Sequence, residues 1–196
     1  DEAYMDFENR ESMLQHVEQY PNLVILRTLS KAFAMAGLRI GCTIANHEII
    51  ESMQSILAPY PIPRPCIEAA SEALSPAAIS AYKSQWSTLI SERERVTKQL
   101  KKLPEVIKIY ASYTNFLLVE FAEPKKTFQT LLKSGLLVRD RTSQVNNCLR
   151  ITIGSPLQND LLLRSIGAPV NTTVCREGRA VRKTSETQII VNINLD

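Results

Sequence analysis

The chain has 196 residues, a hydrophobic fraction of 44% and a charged fraction of 22%, proportions typical of a soluble globular protein. Its formal net charge is only +3 and its basic residues are scattered, so nothing in the sequence indicates binding to nucleic acid. No apolar run approaches the roughly 18 residues that a membrane span needs, and no signal peptide opens the chain. The four cysteines are too far apart for a zinc site or a short disulfide framework, so we expect reduced thiols and a cytoplasmic protein.

The first third of the chain predicts alternating short elements. Residues 5–20 have the apolar spacing of a helix, and the continuous apolar run over residues 23–26 predicts a buried strand of the kind found in parallel sheets. A turn over residues 27–31 leaves that strand, and a second short strand is expected over residues 39–45. Three prolines within residues 58–63 then make a stiff connector, the best candidate for a domain boundary.

The remaining elements predict a smaller domain of mixed type. We expect helices over residues 48–57, 64–74, 76–102, 125–133 and 157–166, and strands over residues 106–110, 116–121, 136–138 and 148–153. Helices that cover one side of a small sheet form an α+β domain. The charged run at residues 91–95 is interpreted as a solvated helix face.

The segment around Lys31 carries the groups that a phosphate-bearing cofactor needs. Lys31 follows the predicted strand within a run of small and apolar residues, and desolvation there would make its amine a better nucleophile. Thr28 and Ser30 supply hydroxyls, and the guanidinium of Arg39 can grip phosphate oxygens. These residues alone only suggest a site, because a lysine near an arginine has many ordinary explanations.

The sequence Ser-Lys-Ala-Phe-Ala-Met-Ala-Gly-Leu-Arg-Ile-Gly, residues 30–41, resembles the lysine motif of the fold-type I aminotransferases. All six fixed positions of the family pattern S-K-x-F-x-x-x-G-x-R-x-G match. The family also has an upstream Asp-x-x-Tyr motif, which here is Asp1-Glu2-Ala3-Tyr4. The resemblance implies pyridoxal 5′-phosphate as cofactor, with Lys31 as the Schiff-base lysine and proton shuttle. It also implies that Asp1 pairs with the pyridinium nitrogen and Tyr4 with the ring oxygen, and that the phosphate is held by Thr28, Ser30 and Arg39.

Several further motifs are similar to those of one subgroup, the histidinol-phosphate aminotransferases. They are Leu-Arg-Thr-Leu-Ser-Lys-Ala-Phe-Ala, Ala-Pro-Tyr-Pro, Thr-Asn-Phe at residues 114–116, Leu-Val-Arg-Asp at 137–140 and Cys-Leu-Arg-Ile-Thr-Ile-Gly at 148–154. The resemblance implies that Arg150 binds the α-carboxylate of glutamate, and that Arg139 and Arg150 together bind the phosphate of histidinol phosphate. One anion pocket can serve both substrates because guanidinium groups accept carboxylate and phosphate alike. An alternative for Arg139 is an ordinary surface residue on a strand edge.

The tail from residue 179 onward resembles the opening strand of imidazoleglycerol-phosphate dehydratases, which suggests a fusion with a second enzyme. A strand-forming extension with no such role is the alternative. The tail is too short to hold the metal-binding histidines of that family, so no metal site is expected.

The sequence therefore predicts an α/β fold, the C-terminal part of a fold-type I large domain followed by its α+β small domain. We expect residues 1–60 in the cofactor-binding domain, residues 61–168 in the small domain and residues 169–196 in the tail. The expected activity is transamination of L-histidinol phosphate with 2-oxoglutarate in histidine biosynthesis, by a homodimeric protein of which this chain is a fragment, inactive alone. Two alternatives stay open: an aminotransferase for aromatic or other amino acids, and a transcriptional regulator with an aminotransferase-like domain.

Overall fold

The computed structural model describes residues 1–8, 10–170, 177–183 and 188–194. Its first residues form two short 3-10 helices, Met5–Phe7 and Met13–His16, instead of the single helix predicted over residues 5–20. The prediction was wrong because the apolar side chains of Met13 and Leu14 remain about half exposed and have no surface to pack against. The carboxylate of Glu2 instead accepts hydrogen bonds from the Met13 amide and the Ser12 hydroxyl, which fixes the second turn locally.

Strands β1 (Ile25–Thr28) and β2 (Gly41–Ile44) form a two-stranded antiparallel sheet. The parallel pairing expected for the first strand is not found among the described residues. Leu26 is 46% exposed, and Ile25 is the buried residue of β1. The loop over residues 29–40 turns the chain back on itself, so β2 returns beside β1.

Three helices follow: α1 (His47–Gln54), α2 (Arg64–Ala73) and α3 (Pro76–Leu100). The long helix was predicted from residue 76, and its start is confirmed: Ser75 caps the helix by accepting the amide of Ala78, and Pro76 occupies the first turn. The same serine-proline arrangement starts the last helix of the small domain.

The small domain contains a four-stranded antiparallel sheet in the order β3-β4-β6-β5, formed by Val106–Ile109, Phe116–Phe121, Cys148–Thr152 and Arg139–Asp140. Helices α4 (Pro124–Lys133) and α5 (Pro156–Ser165) pack with α3 against this sheet. The core is fully buried at Val96, Val119, Leu131, Leu149 and Leu163. The mixed helix and sheet content expected for this region is confirmed.

One strand of that sheet differs from its prediction. A strand was expected over residues 136–138, but β5 is Arg139–Asp140. Val138 is buried in the core while Leu137 is 81% exposed, so the chain enters the sheet only after these residues. In the tail, β7 (Glu177–Lys183) and β8 (Gln188–Asn194) pair as an antiparallel hairpin. The division of the chain at residues 60 and 168 stays a prediction.

Candidate active site

Lys31 lies in the loop that follows β1, and its amine faces the ring of Tyr4. The Nζ atom is 5.5 Å from the ring centroid of Tyr4. Within the described residues this amine makes neither a hydrogen bond nor an ion pair. The predicted desolvation of Lys31 is wrong for this chain, because the side chain is exposed and its small neighbours Ala34 and Ala36 are exposed as well.

The Asp-x-x-Tyr motif runs beside β1 and so comes close to the lysine loop. The amide of Glu2 donates to the carbonyl of Leu26 at 2.8 Å, which anchors the motif to the strand. Burial alone would raise the pKa of Glu2, but hydrogen bonds from Ser12, Met13 and Arg27 outweigh it and lower the pKa below its ordinary value. Asp1 is exposed, and its carboxylate accepts the amide of Ala3 at 2.9 Å.

The hydroxyls predicted to bind phosphate lie together at the end of β1. The Thr28 hydroxyl donates to the Ser30 hydroxyl at 3.0 Å, and the Ser30 amide donates to the Thr28 oxygen at 3.1 Å. Thr28 also contacts the carbonyl of Ile40, the residue that follows Arg39. Arg39 itself has a left-handed backbone (φ 57°), and its guanidinium donates to the carbonyl of Ala36 instead of reaching either hydroxyl.

A chain of aromatic contacts joins the lysine to the second half of the candidate site. The ring of Tyr4 meets the ring of Phe116 edge-on, with centroids 5.8 Å apart. The guanidinium carbon of Arg150 lies 4.9 Å from the centroid of the same Phe116 ring. Phe116 therefore lies between the motif that approaches Lys31 and the arginine predicted to bind substrate.

The two predicted substrate-binding arginines are direct neighbours. Arg139 of β5 and Arg150 of β6 are opposite each other in the strand register, so their side chains leave the same face of the sheet. No ion pair to either guanidinium occurs in the part of the chain that the structure describes. The Nε atom of Arg150 is buried, and it has no hydrogen-bond partner among the described residues.

Two guanidinium groups on one face, neither with a hydrogen-bond or ion-pair partner among the described residues, could accept an anion. Like charges placed opposite each other on a sheet destabilise it, and an unpaired buried donor also has a cost. A carboxylate or phosphate bound between them would remove both penalties and could form two parallel hydrogen bonds with each fork.

The charged run at residues 91–95 is not the solvated face that its composition indicated. Glu92 and Arg93 are both more than 90% buried. Arg93 donates to the carbonyls of Phe7 and Thr114, and its burial lowers the pKa of its guanidinium. A charged pattern could not reveal these partners, because both are remote in the sequence.

A second contact of α3, partly buried, was not predicted from the sequence either. The indole nitrogen of Trp86 donates to the carbonyl of Ala32 at 2.8 Å, directly beside Lys31. The one available signal was that Trp86 is the only tryptophan of the chain and lies within a largely polar helix.

The described residues contain no cluster of three or more histidine, cysteine or acidic side chains that could hold a metal ion. Among the same residues, no helix is both long enough and apolar enough to cross a bilayer.

Residues 1–166 match the model of the family described as aminotransferase class I and II. The histidinol-phosphate aminotransferase of Blochmanniella floridana is 44% identical over 168 residues, which are 85% of this chain and 47% of the relative. That of Escherichia coli O45:K1 (strain S88) is 39% identical over 170 residues, 86% of this chain and 48% of the relative. The chain thus spans about half the length of the curated relatives it matches.

Solved structures agree with this likeness. The histidinol-phosphate aminotransferase from Sinorhizobium meliloti, crystallised with pyridoxal 5′-phosphate, superposes with a TM-score of 0.73 at 25% identity, over 85% of this chain and 46% of that chain. The L-threonine-O-3-phosphate decarboxylase from Porphyromonas gingivalis has the same TM-score at 23% identity, over 83% and 51% of the two chains, and shares the fold.

Proposed function

The chain belongs to the aminotransferase class I and II family, and from that premise we propose that it forms half of an enzyme that transaminates L-histidinol phosphate with 2-oxoglutarate. The supporting observation is the continuous contact path from Lys31 through Tyr4 and Phe116 to Arg150, which has Arg139 as its neighbour. The path joins an amine to a pair of anion-binding side chains, as a transamination of anionic substrates requires.

The residues present fit pyridoxal 5′-phosphate at the lysine end of this path. The amine of Lys31 is free of hydrogen bonds and ion pairs in the described part of the chain, and the paired hydroxyls of Thr28 and Ser30 lie three and one residues before it. When bound, the cofactor supplies a reactive aldehyde and a ring that accepts electrons from the substrate carbon. Lys31 would hold the cofactor covalently and move the proton at the substrate carbon, and the Tyr4 hydroxyl would hold the ring oxygen. The carboxylate of Asp1 would accept a hydrogen bond from the protonated ring nitrogen.

The arginine end of the path accounts for the two substrates. Arg150 binds the α-carboxylate of glutamate, and Arg139 and Arg150 together bind the phosphate of histidinol phosphate. Guanidinium groups bind both anions through the same parallel hydrogen bonds.

The covalent step is tested by reducing the protein with borohydride in the presence of pyridoxal 5′-phosphate and mapping the labelled peptide. We expect the label on Lys31, its loss in Lys31→Ala, and its retention in Lys83→Ala, an exposed lysine on α3 that serves as a matched control. Transamination by the protein that carries this chain should fall about 100-fold or more in Lys31→Ala, since a positioned acid-base group contributes at least this factor.

The substrate is tested by a panel of amino donors given to the same protein. Histidinol phosphate should be preferred over phenylalanine and tyrosine, and Arg139→Met should raise KM for histidinol phosphate more than for glutamate. A preference for phenylalanine or tyrosine would show instead an aminotransferase for aromatic amino acids. That result would leave the assignment of Lys31 intact.

A further inference from the structure

The lysine loop is attached to α3 through Trp86. The indole N–H donates to the carbonyl of Ala32 at 2.8 Å, across 54 positions of sequence. The next side chain, Phe33, meets the rings of Tyr82 and Trp86 edge-on at 5.2 Å and 5.5 Å. The backbone that directly follows Lys31 is therefore held by two side chains of α3 that lie one helical turn apart.

Arg93 attaches the other half of the candidate site to the same helix. Its guanidinium donates to the carbonyl of Phe7 at 3.2 Å and to the carbonyl of Thr114 at 2.7 Å. The first carbonyl belongs to the 3-10 turn that follows Tyr4. The second lies two residues before Phe116, whose amide donates to the Thr114 hydroxyl oxygen.

The spacing of the two contacts on α3 is informative. Trp86 and Arg93 are seven residues apart, so they project from nearly the same face of the helix, separated by roughly 10 Å along its axis. Both use side-chain N–H groups to bind backbone carbonyls, and each bound segment leads directly to a residue of the proposed site. Between positions 86 and 93 the helix is continuous.

We propose that α3 fixes the position of Lys31 relative to Arg150, with Trp86 and Arg93 as its two positioning residues. Trp86 sets the backbone of the lysine loop. Arg93 joins the turn after Tyr4 to the loop before Phe116, and so aligns the aromatic path on which Arg150 rests. Neither side chain contacts a reacting group, so both act through the segments that they bind. The inference rests on the proposed function for the roles of Lys31 and Arg150.

Hydrogen exchange in the absence of cofactor tests the positioning independently of any activity. The amides of Ala34 and Met35 donate to the carbonyls of Lys31 and Leu29, so they report on the lysine loop. Trp86→Phe keeps an aromatic ring and removes the N–H, and it should speed exchange in residues 29–35 about fivefold, the effect of one lost hydrogen bond. Tyr82→Phe, which keeps its ring in the same cluster, should leave this exchange unchanged.

The second positioning residue has its own reporter and control. Arg93→Met should speed exchange at the amides of Phe7 and Phe116, while Lys98→Met removes the same charge from an exposed position of α3 and should not. Arg93→Lys keeps the positive charge but loses the two-pronged guanidinium, so it should give a smaller increase in the exchange rate at Phe7 and Phe116. This variant remains informative if Arg93→Met does not fold. Each variant should leave the segment bound by the other residue unchanged.

Labelling with pyridoxal 5′-phosphate and borohydride connects the positioning to function. Trp86→Phe should lower the share of label on Lys31 relative to the other lysines about fivefold, with no such change in Tyr82→Phe. The positioning proposal would be overturned if exchange and labelling in Trp86→Phe both matched the wild type. It would also be overturned if Arg93→Met left exchange at Phe7 and Phe116 unaffected. A wild-type protein that shows no preference for Lys31 would instead overturn the proposed function, and the exchange data would still decide the role of α3.

Discussion

Replacing Arg150 by methionine should separate stability from function, because the guanidinium is poorly satisfied in the folded chain. The Nε atom of Arg150 is buried without a hydrogen-bond partner in the described residues, and Arg139 lies opposite in the strand register. Leaving such a donor unpaired costs about 1–3 kcal/mol, and the facing like charge adds a few tenths of a kcal/mol. The contact with the Phe116 ring returns about 1 kcal/mol.

Together, these terms predict that Arg150→Met raises the free energy of unfolding by about 1 kcal/mol. The methionine keeps an apolar stem and removes the unpaired donor and the charge. The same variant should lose anion binding, with KM for both substrates raised about tenfold to a hundredfold, the contribution of hydrogen bonds to a charged group. Urea denaturation followed by circular dichroism measures the first quantity by linear extrapolation.

The control for this experiment is Arg139→Met, which changes an exposed residue of the same pair and should alter the free energy of unfolding by less than about 0.5 kcal/mol. If Arg150→Met instead destabilised the chain by more than about 2 kcal/mol, the guanidinium would be a structural residue like Arg93, and the interpretation of it as an unfilled anion site would be wrong.

Three further predictions concern acid stability, core packing and thiol reactivity. The hydrogen bond from Arg95 lowers the pKa of Glu92 below its ordinary value of 4.5, so this pair stabilises the fold above that pH and its contribution is lost as the pH falls. Glu92→Gln should therefore reduce the loss of stability on acidification, as measured by thermal unfolding across a pH series. Leu163→Ala should cost about 2–5 kcal/mol of unfolding free energy, because Leu163 is fully buried in the core. The exposed thiol of Cys42 should react with a thiol reagent in the native protein, whereas Cys148, fully buried and with its pKa raised by burial, should react only on unfolding.

The elements that the sequence predicted well are those that carry their own local signals. Residues 116–121 alternate between partly buried and buried positions, and the strand has the bounds that were expected. Helix α5 begins at Pro156 after a capping box formed by Ser155 and Gln158. Such a box is a local signal, because its two residues are only three positions apart. Arg139 and Arg150, which were singled out by a resemblance and not by periodicity, are opposite each other in the sheet. That they act together on a substrate stays a prediction.

The predictions that failed depend on partners far away in the chain. Arg93 is one of five consecutive polar residues, and its burial follows only from carbonyls at positions 7 and 114. The helix expected over residues 5–20 is absent because Met13 and Leu14, on its predicted apolar face, stay about half exposed, although Phe7 is buried. Tertiary context overrides the local pattern in both cases: it buries a charged residue that the pattern exposes, and it leaves exposed apolar residues that the pattern buries.

Lys31 shows how this distinction bears on the chemistry. The neighbours of Lys31 are small, and small side chains cannot cover a lysine that projects from a loop, so the amine remains exposed. The arginine end differs, because Phe116, Arg139 and Arg150 are positioned by strands and by α3 within the described residues. If Lys31 acts as we propose, its desolvation must therefore come from atoms other than those of the described residues. We therefore expect the affinity of this chain for substrate anions to be close to that of the whole enzyme, and its affinity for the cofactor to be lower.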